Sequence, residues 1–278
     1  MGGQALAESS DTTTVPVRPH AGRAFGLGVP IGALGGLIGL GGAEFRLPVL
    51  TGVFGYPPRS AVALNLAISL ITVSAALTVR TVTLDLAPVL ALLPVAAAIA
   101  LGAVASAYLG VGWVHRVPEV QLRRTILVLL LAIGVGLILE AFAPGEATGL
   151  LPEPGPTALL VAVVCGLAIG LISSLLGVAG GEVIIPTLLF VFGADIVAAG
   201  TASLLISLPT VAVGVARHTR RAAFADPVDR RRTIAPMGAG SVLGAIIGGL
   251  LVGLAPQDAI KLVLGVILIV SALRVFRH

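Results

Sequence analysis

Three charged residues stand inside apolar stretches of this chain. Glu44 and Glu182 each follow a glycine cluster, Gly39-Leu40-Gly41-Gly42-Ala43 and Gly177-Val178-Ala179-Gly180-Gly181, and Arg46 lies two residues beyond the first glutamate. A glutamate in the first turn of a helix is favoured by the helix dipole and can be a simple cap. A buried carboxyl in a membrane segment is also the usual carrier of a coupled proton. Both readings apply to Glu44 and Glu182, which are the proton-coupling candidates. Arg46 has no repeat counterpart, because Ile184 stands there. It either pairs with a glutamate, snorkels to a headgroup, or uses its forked donors to hold an oxyanion; the last places it at a site and is preferred. Further on, Asn65, Ser69 and Thr72 are spaced i, i+4, i+7, and Thr201, Ser203, Ser207 and Thr210 form a second such set. That spacing puts each set on one helix face, for hydrogen bonding between helices or for lining a cavity. His20, His115, His218 and His278 are scattered, and there is one cysteine, Cys165, read as a small buried apolar residue. No metal site, cofactor, phosphate-binding loop or Ser/His/Asp set is expected.

The elements that must position these residues are duplicated. Residues 28–80 and 166–218 align at a fixed offset of 138 with 19 identities in 53 positions and no gap, among them Gly32/Gly170, Gly39/Gly177, Gly42/Gly180, Glu44/Glu182, Pro48/Pro186 and Ser69/Ser207. Glycine clusters do not belong inside a helix, since glycine loses the most backbone entropy there. At membrane depth the freed polar groups need protein partners or a cavity. Each run therefore reads as two short helices meeting at an unwound turn. The alternative is one long helix with small residues for close packing, and Gly28/Gly32 with Gly35/Gly39 suit that role in the first half of the run. Half-helices beginning near Ala43 and Gly181 would present unpaired N–H groups and a positive dipole end. Two such ends facing each other suit a small anion. The expected substrate-binding set is Gly39, Gly41, Gly42, Ala43, Arg46, Asn65 and Ser69 with Gly177, Gly180, Gly181, Thr201, Ser203 and Ser207.

The whole chain fits a membrane setting. It has 278 residues, 57% hydrophobic and 11% charged, with mean hydropathy +1.09. That excludes an ordinary soluble protein, and several stretches exceed the roughly 18 apolar residues of a spanning helix. The basic surplus, 17 Lys/Arg against 13 Asp/Glu, reads as loop arginines that set topology rather than as a nucleic-acid surface. Residues 1–22 form a polar, disordered tail with no leader core, and 143–156 an acidic, proline-rich linker. Apolar segments cover 24–54, 61–79, 86–112 and 122–142 in a first repeat (23–142), and 157–192, 199–216, 233–255 and 258–273 in a second (157–278). If each glycine run dips in and returns, 14 of the 17 Lys/Arg fall on the cytoplasmic face with both termini, leaving Arg80 and Lys261 in outside loops and Arg46 within the membrane. The positive-inside rule favours this over a spanning arrangement. The expected fold is an all-α polytopic membrane protein of two inverted-topology repeats, each a glycine-broken re-entrant helical hairpin plus three transmembrane helices. Such a pair points to a secondary transporter with a midplane site.

The run Gly32…Gly39-Leu40-Gly41-Gly42…Pro48, its echo Gly170…Gly177-Val178-Ala179-Gly180-Gly181-Glu182…Pro186, and Ala199-Gly200-Thr201-Ala202-Ser203-Leu204 after it resemble the sulfite exporter TauE/SafE family over roughly residues 24–275. Ala43 and Arg46 depart from the pattern, where a third glycine and an apolar residue are more usual. The resemblance implies a bacterial inner-membrane exporter of sulfite or of an organosulfur anion such as sulfoacetate, coupled to protons. Its partners would be that anion, protons and membrane lipid, with a homodimer left open and no nucleic acid. Two rivals stand beside it. One is an intramembrane lipid-phosphate hydrolase, for which Ser173-Ser174 is the only candidate nucleophile pair. The other is a non-transporting membrane subunit.

Overall fold

The computed structural model describes residues 20–109, 119–142, 149–151, 155–176, 180–220 and 230–276. Their regular structure is all helical. The first half comprises α1 (Ala21–Ile38), α2 (Ala43–Pro48) running into a π-helical turn (Val49–Val53), α3 (Pro58–Thr83), the short α4 (Ala87–Ala91), α5 (Leu93–Leu109) and α6 (Glu119–Phe142). The second comprises α7 (Pro156–Leu176), α8 (Gly181–Pro186) with its own π-helical turn (Thr187–Val191), α9 (Ile196–Arg220), a π-helical turn (Arg230–Ile234) leading into α10 (Ala235–Val252), and α11 (Gln257–Phe276). The segment expected as one helix over 86–112 divides into α4 and α5. Pro94, at the second position of α5, has no N–H to continue the ladder from α4.

Four helical stretches among the described residues are long and apolar enough to cross a membrane: Ala21–Ile38, Pro58–Thr83, Ile196–Thr219 and Arg231–Val252. Shorter apolar helices, such as Leu93–Ser106 and Pro156–Leu171, pack among them.

The glycine runs are broken where the sequence says they should be. Gly39, Gly41 and Gly42 have φ of +96°, +76° and +75°, and Gly180 has +78°. These left-handed conformations cost a side chain energy and end a helix. The amide of Gly39 closes α1 by donating to the Gly35 carbonyl at 2.9 Å. The chain then folds back, so that a Cβ on Gly42 would sit 2.8 Å from the Ile31 carbonyl. The second break repeats this at the same offset, with Gly180 against Ile169 and Ser173.

Packing between the halves follows one plan. α1 lies along α10, and α7 along α5. α3 touches α10, and α9 touches α5, while α3 packs on α9 and α6 on α11. Exchanging the halves leaves these pairings unchanged. The α1–α10 pair is close because Gly28, Gly32 and Gly36 face Gly240, Gly244 and Gly248; a Cβ on Gly36 would fall 2.7 Å from the Ala245 carbonyl. This is the small-residue packing considered for the first part of the run. Gly35 is used differently, against Gly42 of the turn. One buried cluster joins Ile38 and Leu40 of the first break to Ile184, Ile185 and Leu188 of the second and to Ile99, Leu137 and Leu264. The first break is thus driven into the core of the second half.

Candidate anion site

The two breaks meet. A Cβ on Gly181 would lie 3.2 Å from the Leu40 Cα, and Gly39 abuts the backbone of Gly200 at the start of α9. Glu44 and Glu182 are close enough to interact electrostatically.

Arg46 occupies the centre of the first break and is fully buried. Its guanidinium donates to Ser69 Oγ at 2.9 Å, Thr72 Oγ1 at 3.1 Å and Asn65 Oδ1 at 3.3 Å, and more weakly to the Gly41 carbonyl and Ser241 Oγ, each at 3.4 Å. The stripe on α3 therefore points at Arg46. Asn65 Nδ2 also donates to the Ala43 carbonyl at 3.1 Å, fastening α3 to the first residue of α2. Every acceptor around Arg46 is neutral, and its Nε has no partner. A buried guanidinium is normally paired with a carboxylate; this one bonds to none.

Glu44 does not fill that role. Both its oxygens are shut off from solvent and lack a hydrogen-bond partner of normal geometry. Residues two apart on a helix do not share a face, so Glu44 reaches Arg46 only through space, as it does Glu182. Glu182 is buried and takes a hydrogen bond from Ser271 of α11. The repeat-related carboxyls therefore have unequal surroundings: position 133, where Ser271 would have its counterpart, is isoleucine.

Other expected residues fall into place unevenly. Gly41 packs against Val73, Gly42 against Ile31, Gly180 against Ser173, and Gly181 against Leu40 and Ser203. Ser203 is fully buried with an unpartnered hydroxyl, and Ser207 is buried on the same helix. Gly177 lies outside the described residues, as do Trp113 and His115. Thr201 does not join the Arg46 group. It accepts a 2.8 Å bond from Arg80. Of the pair Ser173-Ser174, the Ser173 hydroxyl is buried without a partner, and the Ser174 side chain lies outside the described residues. Cys165 is half-buried against the core rather than enclosed.

Arg80 is the main correction. The charge count placed it in an outside loop, yet it lies in α3 and is fully buried. Its guanidinium donates to the Gly36 carbonyl from Nε (3.1 Å) and from one terminal nitrogen (3.0 Å), to the Leu37 carbonyl (2.9 Å), to Thr201 Oγ1 and to the Val197 carbonyl (3.3 Å). All five donors are used. Gly36 and Leu37 close α1, whose end carbonyls lack intrahelical partners, and their negative dipole end balances the charge. A signal for it existed: Arg80 falls eight and eleven residues beyond Thr72 and Ser69, on the same α3 face. Ser241 and Ser271 gave no such signal, because they arrive from distant helices.

A cleft of about 280 Å³ opens beside the start of α9, between Pro88, Leu92, Leu151, Phe192, Asp195 and Ala198. Asp195 caps α9 by accepting from the amides of Val197 and Ala198 at 3.0 and 2.9 Å. The cleft ends two residues short of Gly200, which holds Gly39.

A duplicated, multi-pass membrane protein, helical throughout its described residues, with a buried arginine that hydrogen-bonds only neutral acceptors where two helix breaks meet, belongs to the class of membrane transporters. More particularly, a family model for the sulfite exporter TauE/SafE matches residues 2–137 and 162–278, and the chain belongs to that family. The unmatched interval contains the acidic linker. Comparisons with curated proteins and with solved structures each return no match.

Proposed function

We propose that this protein exports sulfite or a related small organosulfonate across the bacterial inner membrane, with proton coupling. The observation that carries the reading is Arg46: a fully buried guanidinium ringed by neutral acceptors, with one donor unused. An arginine kept in a dry site with no carboxylate hydrogen-bonded to it, and only the protonatable Glu44 near by, is suited to a guest that brings the negative charge. The glycine breaks act as two re-entrant hairpins whose tips, near Gly41-Gly42 and Gly180-Gly181, bracket the anion. Glu44 and Glu182 lie where the tips meet and are the proton-coupling groups. The interchangeable helix pairing of the halves supports inverted repeats that rock about this point for alternating access, with both termini cytoplasmic.

Flux of radiolabelled sulfite into or out of proteoliposomes, with and without an imposed pH gradient, tests this reading. Saturable flux that responds to the gradient is expected. Absence of flux for any sulfur oxyanion would sink it.

A further inference from the structure

Duplication of the backbone suggests two equivalent binding positions, one at each break. The side chains do not. At the offset of 138, Arg46 corresponds to Ile184, Asn65 to Ser203, and Ser241 to Ala103. The second break therefore lacks the cation, the amide and the hydroxyl from the neighbouring half. Its Ser203 hydroxyl is left buried and unpartnered, next to Gly181. Only the first break holds a positive charge in a polar shell.

The amount of that charge is also fixed. Arg80, the other buried guanidinium among the described residues, spends all five donors on the end of α1 and on α9 and has none left for a guest. The remaining charged groups near the meeting point are two carboxyls, Glu44 and Glu182, which can only lower the local positive charge. A site walled from water does not tolerate charge beyond what its partners balance.

Building on the reading of Arg46 as the anion ligand, we infer that each chain binds a single oxyanion of charge −1, at the first break alone. Hydrogen sulfite and simple sulfonates satisfy this; sulfate and thiosulfate, which carry two charges, leave one unbalanced. Arg46 supplies the charge and the unused Nε donor, and Ser69 a hydroxyl; the hydroxyls of Thr72 and Ser241, which donate to the Ile68 and Gly28 carbonyls at 2.9 and 3.3 Å, reach the guest by giving up those bonds.

Isothermal titration of the purified full chain with methanesulfonate and with sulfate, at matched ionic strength, tests the inference. One methanesulfonate per chain is expected, bound about tenfold or more tightly than sulfate, a difference of about 1.4 kcal/mol or more. Arg46→Gln should abolish the binding and Ser241→Ala weaken it. Arg46→Lys, which keeps the charge, provides a second variant should the glutamine form not fold. Sulfate binding as tightly as methanesulfonate, or two sites per chain, overturns the inference while leaving the transporter reading intact. A folded wild-type chain that takes up neither anion overturns both.

Discussion

Replacing Arg80 by methionine should loosen the protein without touching the anion site, and the size of the effect follows from its bonds. The Val197 carbonyl keeps the Thr201 hydroxyl, which donates to it at 2.9 Å. The Gly36 and Leu37 carbonyls lose their partner in Arg80 and, at the end of α1, find no backbone amide in its place. An orphaned buried acceptor costs about 1–3 kcal/mol, so two cost about 2–6 kcal/mol. Loss of a cation from a helix C-terminus adds about 0.3–1 kcal/mol. Methionine no longer has to bury a charge, which returns several kcal/mol at most. In the native protein five charge-assisted bonds, at about 1.5–3 kcal/mol each, already offset that burial, so the orphaned carbonyls decide the sign.

A net loss of a few kcal/mol corresponds to a fall in melting temperature on the order of 10 °C, taking about 2–4 °C per kcal/mol for a chain of this size. The assay is thermal unfolding of detergent-purified protein followed by the loss of its monodisperse peak. Arg80→Lys retains the charge but not the fork, and should fall between the two. Methanesulfonate affinity of the surviving fraction should match wild type. A methionine variant melting within about 2 °C of wild type would refute the reasoning, because the carbonyls would then have another way to be satisfied.

Arg46→Gln should reduce sulfite flux in proteoliposomes by about a hundredfold or more, since a charge-assisted bond is worth about 1.5–3 kcal/mol and several are lost together. Gly39→Ala should prevent recovery of folded protein, because φ is +96° and the new methyl meets the Gly200 backbone; Gly26→Ala, with nothing near its added carbon, should be neutral or stabilise by up to about 1 kcal/mol in the same melting assay. The Lys261–Glu140 pair, 2.9 Å long and about one-eighth exposed on either side, ties α11 to α6; Lys261→Met should destabilise by about 1–3 kcal/mol, and adding Glu140→Met should restore part of the loss. Ile184→Arg should be tolerated far better than Ile185→Arg when both are expressed and purified, because only position 184 repeats the position of Arg46, with the unpartnered Ser203 hydroxyl on α9.

What could be read in advance depended on whether the partners were local. The breaks at 39–42 and 180 were legible because consecutive glycines followed by a glutamate and a proline recur at one offset, and no continuous helix explains that. The aim of Asn65, Ser69 and Thr72 at Arg46 was legible in part, since their spacing fixes a face but not what stands opposite. Ser241 reaches Arg46 across 195 positions, and Ser271 reaches Glu182 from the last helix; periodicity carries no trace of such meetings. Arg80 was misplaced for a different reason. The positive-inside rule counts arginines near the ends of apolar segments as loop residues, and Arg80 sits one turn from the end of α3. It escapes the rule because α1 ends in mid-protein and offers bare carbonyls that an arginine can cap.

That last point explains why the first break can use two arginines of opposite character. Interrupting a helix inside a membrane protein exposes carbonyls on the incoming arm and amides on the outgoing arm, and neither set can be left to lipid. The incoming arm here is closed by Arg80, which bonds to both halves and so fixes where the break sits against α9. The outgoing arm is held through Asn65 to the Ala43 carbonyl, and two residues on it carries Arg46 with spare capacity. At the second break the position of Arg80 is taken by His218, whose ring lies against the Gly214 carbonyl of its own helix, and the position of Arg46 by Ile184. The second break shares the left-handed glycine at 180 with the first without either arginine, and in its described part packs Gly181 on Leu40, with Ser271 bonded to Glu182. Both buried arginines among the described residues thus belong to the first half, and the second half supplies the Gly200, Thr201 and Gly181 surface against which that half is set.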